Sequence, residues 1–202
     1  MIRNELKVNQ SQLKRYFPLL ALLLFYTGLF GQETRWRSSA YLDLHSSYRT
    51  EYSYIDVDNK RARAFSVGEK GAFEMVYNMD YRISNTFSIS AIGGLSHYLT
   101  SPNLSTLKVG SGIKIFYINV RDHYITLQLA SHLPFSKKKF RSGLQLKLGN
   151  YFQISDRFLV GLYYNVDFFD LQGRTATPLA SIAKSDRSIR FYSAGISLGI
   201  KL

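Results

Sequence analysis

From residue 35 to the end of the chain, apolar and polar side chains alternate in one segment after another. The final segment shows this most clearly. Its two alternating sets are Ala194, Ile196, Leu198, Ile200 and Leu202, and Ser193, Gly195, Ser197, Gly199 and Lys201. Because successive side chains of a β-strand point to opposite faces, such a segment is predicted to be a strand with one apolar and one polar face. The repeated pattern predicts an all-β fold.

Eight segments carry the pattern, and the connections between them alternate in length. The predicted strands are 36–54, 70–82, 87–98, 106–119, 123–133, 139–154, 157–169 and 188–202. Short connections at 83–86, 120–123 and 155–156 separate longer ones at 55–69, 99–105, 134–138 and 170–187. An even number of strands joined in this way is typical of an eight-stranded antiparallel up-and-down transmembrane β-barrel, with both ends of the sheet beside the tight turns.

The first 31 residues have the pattern of an export signal. Lys14 and Arg15 precede the apolar run 16–30, and the small residue Gly31 stands before polar Gln32. The run is about 15 residues long, fewer than the roughly 20 that a membrane-spanning helix needs, so cleavage after Gly31 is favoured over a single helical anchor. The predicted domains are therefore a signal peptide, 1–31, and a barrel, 32–202. The chain has no cysteine, which excludes disulfide and thiol chemistry.

The polar face contains many small residues together with charges of both signs. In a barrel of eight strands the interior has little room, so the small side chains are predicted to point inward and the apolar ones toward lipid. Charged side chains on this face are expected to form ion pairs in the lumen. They are Asp43, Arg49, Glu51, Glu74, Asp80, Arg82, Lys108, Lys114, Lys147 and Asp167.

Aromatic residues on the apolar face cluster at two predicted heights. Beside the tight turns are Trp36, Tyr81, Phe87, Tyr117, Phe152 and Phe158. Toward the long connections are Tyr48, Tyr52, Tyr54, Phe168 and Tyr192. Rings of amphipathic aromatic side chains are typical of the two membrane interfaces, which favours a membrane barrel over a soluble barrel with an apolar interior.

The leader, the alternation of turns and loops, and the closing segment 193–202 resemble small outer-membrane barrel proteins related to the transmembrane domain of OmpA and to OmpX. The end of the leader, Phe30-Gly31-Gln32, resembles exported proteins of the Bacteroidetes. The closing strand resembles the signal read by the barrel assembly machinery, although Leu202 stands where that signal usually has an aromatic residue. The resemblance implies an outer-membrane location after signal cleavage and no shared catalytic residues.

The chain gives little support for a metal site or for catalysis. Its histidines, His45, His97, His123 and His132, lack metal-binding spacing, and the last three are predicted to be polar residues near strand ends. A lipid A deacylase would need a serine beside a histidine base, and His45 with Ser47 offers those residue types. However, Tyr48 follows where those enzymes have asparagine, and the pair is predicted to face the lumen. We therefore predict no enzyme, no cofactor and no metal.

The long connections are basic, and the chain carries a net charge of +12. The phosphates of lipopolysaccharide are the nearest anionic partner for such a rim, and no nucleic-acid-binding motif is present. Candidate contacts to anionic lipid are Lys137, Lys138, Lys139, Arg141, Arg187 and Arg190. The favoured function is a monomeric structural or surface-interaction barrel. A narrow channel, a lipid A-modifying enzyme and a soluble exported binding barrel are the alternatives.

Overall fold

The protein folds, in a computed structural model, into a single β-sheet. The structure describes residues 35–67, 70–99, 103–117, 123–135, 140–171 and 183–202, with the backbone alone at Lys70 and 183–187. The predicted leader lies outside the described residues. Their strands are β1 (Trp36–Asp56), β2 (Arg61–Ser66), β3 (Lys70–Arg82), β4 (Phe87–Tyr98), β5 (Leu104–Phe116), β6 (Tyr124–Pro134), β7 (Phe140–Gln153), β8 (Phe158–Leu171) and β9 (Ala183–Lys201).

Eight of these strands close into a barrel. β1 and β3 through β9 each pair antiparallel with their neighbours, and β9 pairs with β1 to complete the ring. The predicted all-β, eight-stranded antiparallel barrel is therefore confirmed. Among the described residues, no helix is long and apolar enough to cross a membrane.

The strand β2 was not expected, because it lies within the predicted connection 55–69. It pairs with the far half of β1, from Thr50 opposite Ser66 to Ile55 opposite Arg61. Asn59 makes the turn with a φ of 62°, a left-handed conformation that asparagine adopts more readily than most residues. The same half of β1 also pairs with the first part of β9, which begins before the predicted residue 188. The three strands extend the sheet on the side of the long connections, here called the loop side.

The register around the barrel sets the tilt of its strands. Following the partners from Tyr41 of β1 through all eight strands leads back to β1 at Tyr52, by way of Val76, Gly94, Lys108, His132, Gly143, Phe169 and Ile189. One residue of that advance is the extra residue of a β-bulge at Tyr48. So large a shift over eight strands belongs to a strongly tilted, narrow barrel whose interior is filled by side chains.

The outer wall is apolar along the middle of the strands. Leu144, Leu146 and Leu148 of β7 are 46%, 48% and 51% exposed, whereas Gln145 and Lys147 between them are 1% exposed. In water, an exposed wall of leucine, isoleucine and valine side chains would promote aggregation. Apolar side chains that point outward while polar ones point inward therefore identify a transmembrane barrel.

Two apolar clusters fill parts of the lumen that the alternation alone predicts to be polar. The loop-side cluster comprises Tyr52, Ala72, Tyr98, Leu104, Phe140, Phe169, Leu171, Ile189 and Phe191. The turn-side cluster, nearer the tight turns, comprises Tyr41, Val76, Ile92, Tyr124, Tyr151 and Leu159. Glycines leave room for these rings, since a Cβ at Gly161 would come within 2.5 Å of the Tyr151 ring.

Candidate functional site

Three lysine–carboxylate pairs lie inside the barrel. Lys108 Nζ is 2.6 Å from Glu74 Oε2, and Lys114 Nζ is 2.6 Å from Asp80 Oδ2. In the third pair, Lys147 Nζ is 2.5 Å from Asp43 Oδ2. All six side chains are buried, and in each pair the neighbouring charge offsets part of the desolvation cost. The structure thus brings together six of the residues that the alternation assigns to the lumen.

The fourth lumen carboxylate, Asp167, is held by neutral donors and a histidine. Its Oδ1 accepts a hydrogen bond of 2.7 Å from Gln145 Nε2, and its Oδ2 accepts one of 2.6 Å from Asn165 Nδ2. His132 Nε2 lies 3.5 Å from Asp167 Oδ1. Gln145 Nε2 also donates to Glu74 Oε1 at 2.9 Å, which joins Asp167 to the pair of Glu74 and Lys108.

Sequence reasoning missed the neutral members of this network. Gln145 and Asn165 have the parity of the lumen face, so the alternation already places both inside the barrel, whereas the predicted lumen network contains charged residues only. His132 was predicted to be a polar residue near a strand end. Instead it is fully buried. It lies on the lumen face of β6 opposite Lys108 of β5, and its ring packs against that of Tyr98.

Glu74, His132 and Asp167 each offer one possible metal ligand within 4.8 Å of the others. Glu74 is already compensated by Lys108, and Gln145 donates to both carboxylates. We therefore assign no metal to this cluster.

The two apolar clusters lie on either side of the Lys108 and Lys147 pairs, whereas the Lys114 ammonium lies within the turn-side cluster, 4.8 Å from the centre of the Tyr124 ring. In the loop-side cluster, Phe169 and Phe191 are fully buried, and the Tyr98 ring lies 5.0 Å edge-on from that of Phe169. In the turn-side cluster, the rings of Tyr124 and Tyr151 stack with centroids 5.0 Å apart. Packed rings around the buried charges give this lumen the character of a protein core.

Arg49 and Glu51 were predicted to face the lumen, and this is wrong. The bulge at Tyr48 adds one residue to β1, so Thr50 and Tyr52 turn inward instead. Arg49 is exposed on the outer wall, and Glu51 faces the same way beneath Arg63, whose guanidinium lies 3.6 Å from it.

The bulge also changes the predicted loop-side aromatic belt. Tyr52 and Tyr54 are buried in the barrel, whereas Tyr48, Phe168 and Tyr192 lie on the outer wall. At the other end, the outward position of Trp36 agrees with the predicted turn-side belt, and its ring lies 4.9 Å from that of Tyr81.

Arg82 lies at the turn-side mouth of the lumen and is half-buried. Its guanidinium donates to the carbonyl oxygens of Ser84 and Asn85, at 3.2 and 2.8 Å, and lies 4.8 Å from the centre of the Phe116 ring. Among the described residues it forms no ion pair, so it secures the tight turn instead of taking part in the predicted lumen pairing.

Of the predicted anionic-lipid contacts, Lys137, Lys138 and Lys139 lie outside the described residues, as does the side chain of Arg187. Arg141 and Arg190 are exposed on the loop side. The Arg190 guanidinium lies 5.5 Å from the centre of the Phe168 ring.

The two residues that could suggest a hydrolase face the lumen. His45 Nδ1 is 3.1 Å from the hydroxyl of Tyr163, and Ser47 Oγ is 3.0 Å from Ser193 Oγ. Both side chains are buried inside the barrel. Neither reaches the outer wall, where a lipid substrate would lie.

No protein-family model and no curated protein sequence matches this chain. Among solved structures, it is similar to a de novo designed transmembrane β-barrel, with 13% identity, a TM-score of 0.43, and coverage of 85% of this chain and 98% of that one. It is also similar to the outer membrane protein AlkL in DMPC bilayers, with 9% identity, a TM-score of 0.47, and coverage of 85% and 92%. Neisserial surface protein A is 14% identical, with a TM-score of 0.34 and coverage of 79% and 96%. The transmembrane assignment itself rests on the closed sheet and its apolar wall.

Proposed function

We propose that this chain is an integral outer-membrane β-barrel with a closed lumen, acting in the structure of the envelope or in surface interactions. The observation that carries this proposal is the filling of the lumen. The buried pairs of Lys108 and Lys147 lie between two packed apolar clusters, and that of Lys114 lies against the rings of the turn-side cluster. We infer from this filling that solutes have no continuous wet path through the described part of the barrel.

The basic loop side supports a role in contacting phosphorylated lipids. We propose that Lys137, Lys138, Lys139, Arg141, Arg187 and Arg190 contact lipopolysaccharide in the outer leaflet. The protein would reach that membrane as a monomer through the barrel assembly machinery, after cleavage of residues 1–31. No catalytic step is proposed, since His45 and Ser47 lie inside the barrel and away from lipid.

Conductance in planar lipid bilayers tests the closed lumen against the alternative of a narrow channel. Purified protein should give no discrete single-channel steps, while a general diffusion porin reconstituted in the same way should give them. The conductance of the variant Phe169→Ala/Phe191→Ala provides a second comparison. This variant thins the loop-side cluster but leaves the ion pairs in place, so it tests how far that cluster alone closes the lumen. Regular steps from the unmodified protein would contradict the proposal and favour a channel.

A further inference from the structure

The outer wall changes character toward the loop side, where β8, β9 and β1 lie side by side. Across these strands Leu44, Ile196 and Leu162 are register partners, and each is well exposed. Further along, the hydroxyls of Tyr48 and Tyr164 lie 2.7 Å apart on the same wall. Tyrosine pairs of this kind favour the boundary between hydrocarbon and headgroups. The wall just beyond them should therefore lie at the level of the lipid phosphates.

Two arginines occupy that level. Arg49 lies between two rings, 4.5 Å from the centre of the Phe65 ring and 5.7 Å from that of Tyr192. Arg190 lies over Phe168 on the neighbouring strand. Because Arg49 pairs with Tyr192, and Arg190 pairs with Glu51, the two arginines are diagonal neighbours on one face of the sheet.

Both guanidiniums keep their hydrogen-bonding capacity toward a ligand. Among the described residues, no carboxylate lies within 4.0 Å of Arg49 or Arg190. Glu51, the nearest acidic residue in the register, is 7% exposed and is engaged by Arg63 and by the Tyr192 hydroxyl. Rings that hold a guanidinium in place reduce the conformational entropy that binding would cost.

We propose that Arg49 and Arg190 bind a phosphate group of a phosphorylated glycolipid, with its acyl chains lying along Leu44, Ile196 and Leu162. A planar guanidinium can donate two hydrogen bonds to one phosphate, and diagonal neighbours can share a single phosphate group. The apolar side chains below the arginines supply the surface that a free phosphate would not use. This inference rests on the proposed function and gives it a defined site on the barrel wall, separate from the loop lysines.

Binding of bisphosphorylated lipid A to the protein in detergent micelles, followed by native mass spectrometry, tests the site. The variant Arg49→Gln/Arg190→Gln should weaken binding about tenfold or more, because charge-assisted hydrogen bonds to phosphate are lost. The matched control, Arg35→Gln/Arg157→Gln, removes the same charge from the tight-turn end and should bind within twofold of the unmodified protein. Retention of the heat-modifiable electrophoretic shift shows that each variant remains a folded barrel.

Further comparisons decide the outcome. Dephosphorylated lipid A should bind the Arg49/Arg190 variant and the unmodified protein equally, and inorganic phosphate should compete only weakly. An equal loss of lipid A binding in Arg49→Gln/Arg190→Gln and in the control Arg35→Gln/Arg157→Gln would overturn the site and indicate general charge attraction. If only Lys137→Gln/Lys138→Gln/Lys139→Gln loses lipid A binding, this site is overturned, whereas the proposed role of the loops in lipid binding is supported. Equal binding of lipid A and its dephosphorylated form by the unmodified protein would overturn both.

Discussion

At the scale of single residues, the buried pair of Lys147 and Asp43 shows how the lumen tolerates charge. The ammonium lies 3.9 Å from the centre of the Tyr163 ring and pairs with the carboxylate of Asp43. Replacing Lys147 by Met should destabilise the barrel by roughly 3–5 kcal/mol, because Asp43 is left as an uncompensated buried charge. The double variant Asp43→Asn/Lys147→Met should recover much of that loss. Urea unfolding in lipid vesicles, followed by the fluorescence of the single tryptophan, measures both.

The matched control for this pair is Lys60→Met, which removes a lysine from the exposed turn between β1 and β2. Surface substitutions of this kind usually change stability by no more than about 0.5 kcal/mol. If Lys147→Met unfolds at the same urea concentration as Lys60→Met, the ion pair does not stabilise the lumen as argued. A double variant less stable than Lys147→Met would point instead to packing around the lysine stem.

At the scale of strands, the bulge at Tyr48 decides which way the far half of β1 faces. Ser47 pairs with Ser193 and Arg49 with Tyr192, so Tyr48 is extra relative to β9. Deleting Tyr48 should therefore restore strict alternation and keep Thr50 in the lumen. The expected loss is no more than about 1 kcal/mol, mainly from the aromatic contact with Tyr164. Heat-modifiable mobility and the urea midpoint report whether the barrel still forms.

Deleting Leu44 is the comparison, since that residue lies in a regular part of the ladder opposite Ile196. Its loss would turn His45 and Ser47 toward lipid, and leaving such polar groups without partners should cost at least about 2 kcal/mol. Failure of the Tyr48 deletion to fold, together with normal folding of the Leu44 deletion, would show that the bulge is required and not merely tolerated.

The same bulge marks where sequence reasoning stops. Alternation correctly separates Leu146 from Lys147, because only one face of β7 is apolar. Between Tyr48 and Tyr52, the aromatic residues keep to one parity and the charged residues Arg49 and Glu51 to the other. The alternation therefore continues unbroken and gives no sign of the extra residue. The buried positions of Phe169 and Phe191 were equally hidden, since a phenylalanine in a barrel strand can face either lipid or a filled lumen. In both cases, packing against neighbouring strands determines whether a side chain faces lipid or the lumen.

At the scale of the whole molecule, the barrel reverses the arrangement of a soluble protein. Charged pairs lie at its centre, and leucine and isoleucine side chains cover its exterior. Hydrocarbon makes this arrangement stable, because it solvates the apolar wall and penalises any charge placed there according to depth. The cost of a charge on the outer wall should therefore depend on its height along the strands.

A charge at mid-wall and a charge at the end of the wall test that dependence directly. Leu146→Arg places a guanidinium in the middle of β7 and should cost roughly 2–4 kcal/mol, whereas Ile154→Arg, in the tight turn after β7, should cost no more than about 1 kcal/mol. Both positions are exposed apolar residues, so neither change opens a cavity in the lumen. Reversible urea unfolding in lipid vesicles gives the two free energies. Equal costs at both heights would mean that β7 does not cross the hydrocarbon, and the transmembrane assignment would then fail for the barrel as a whole.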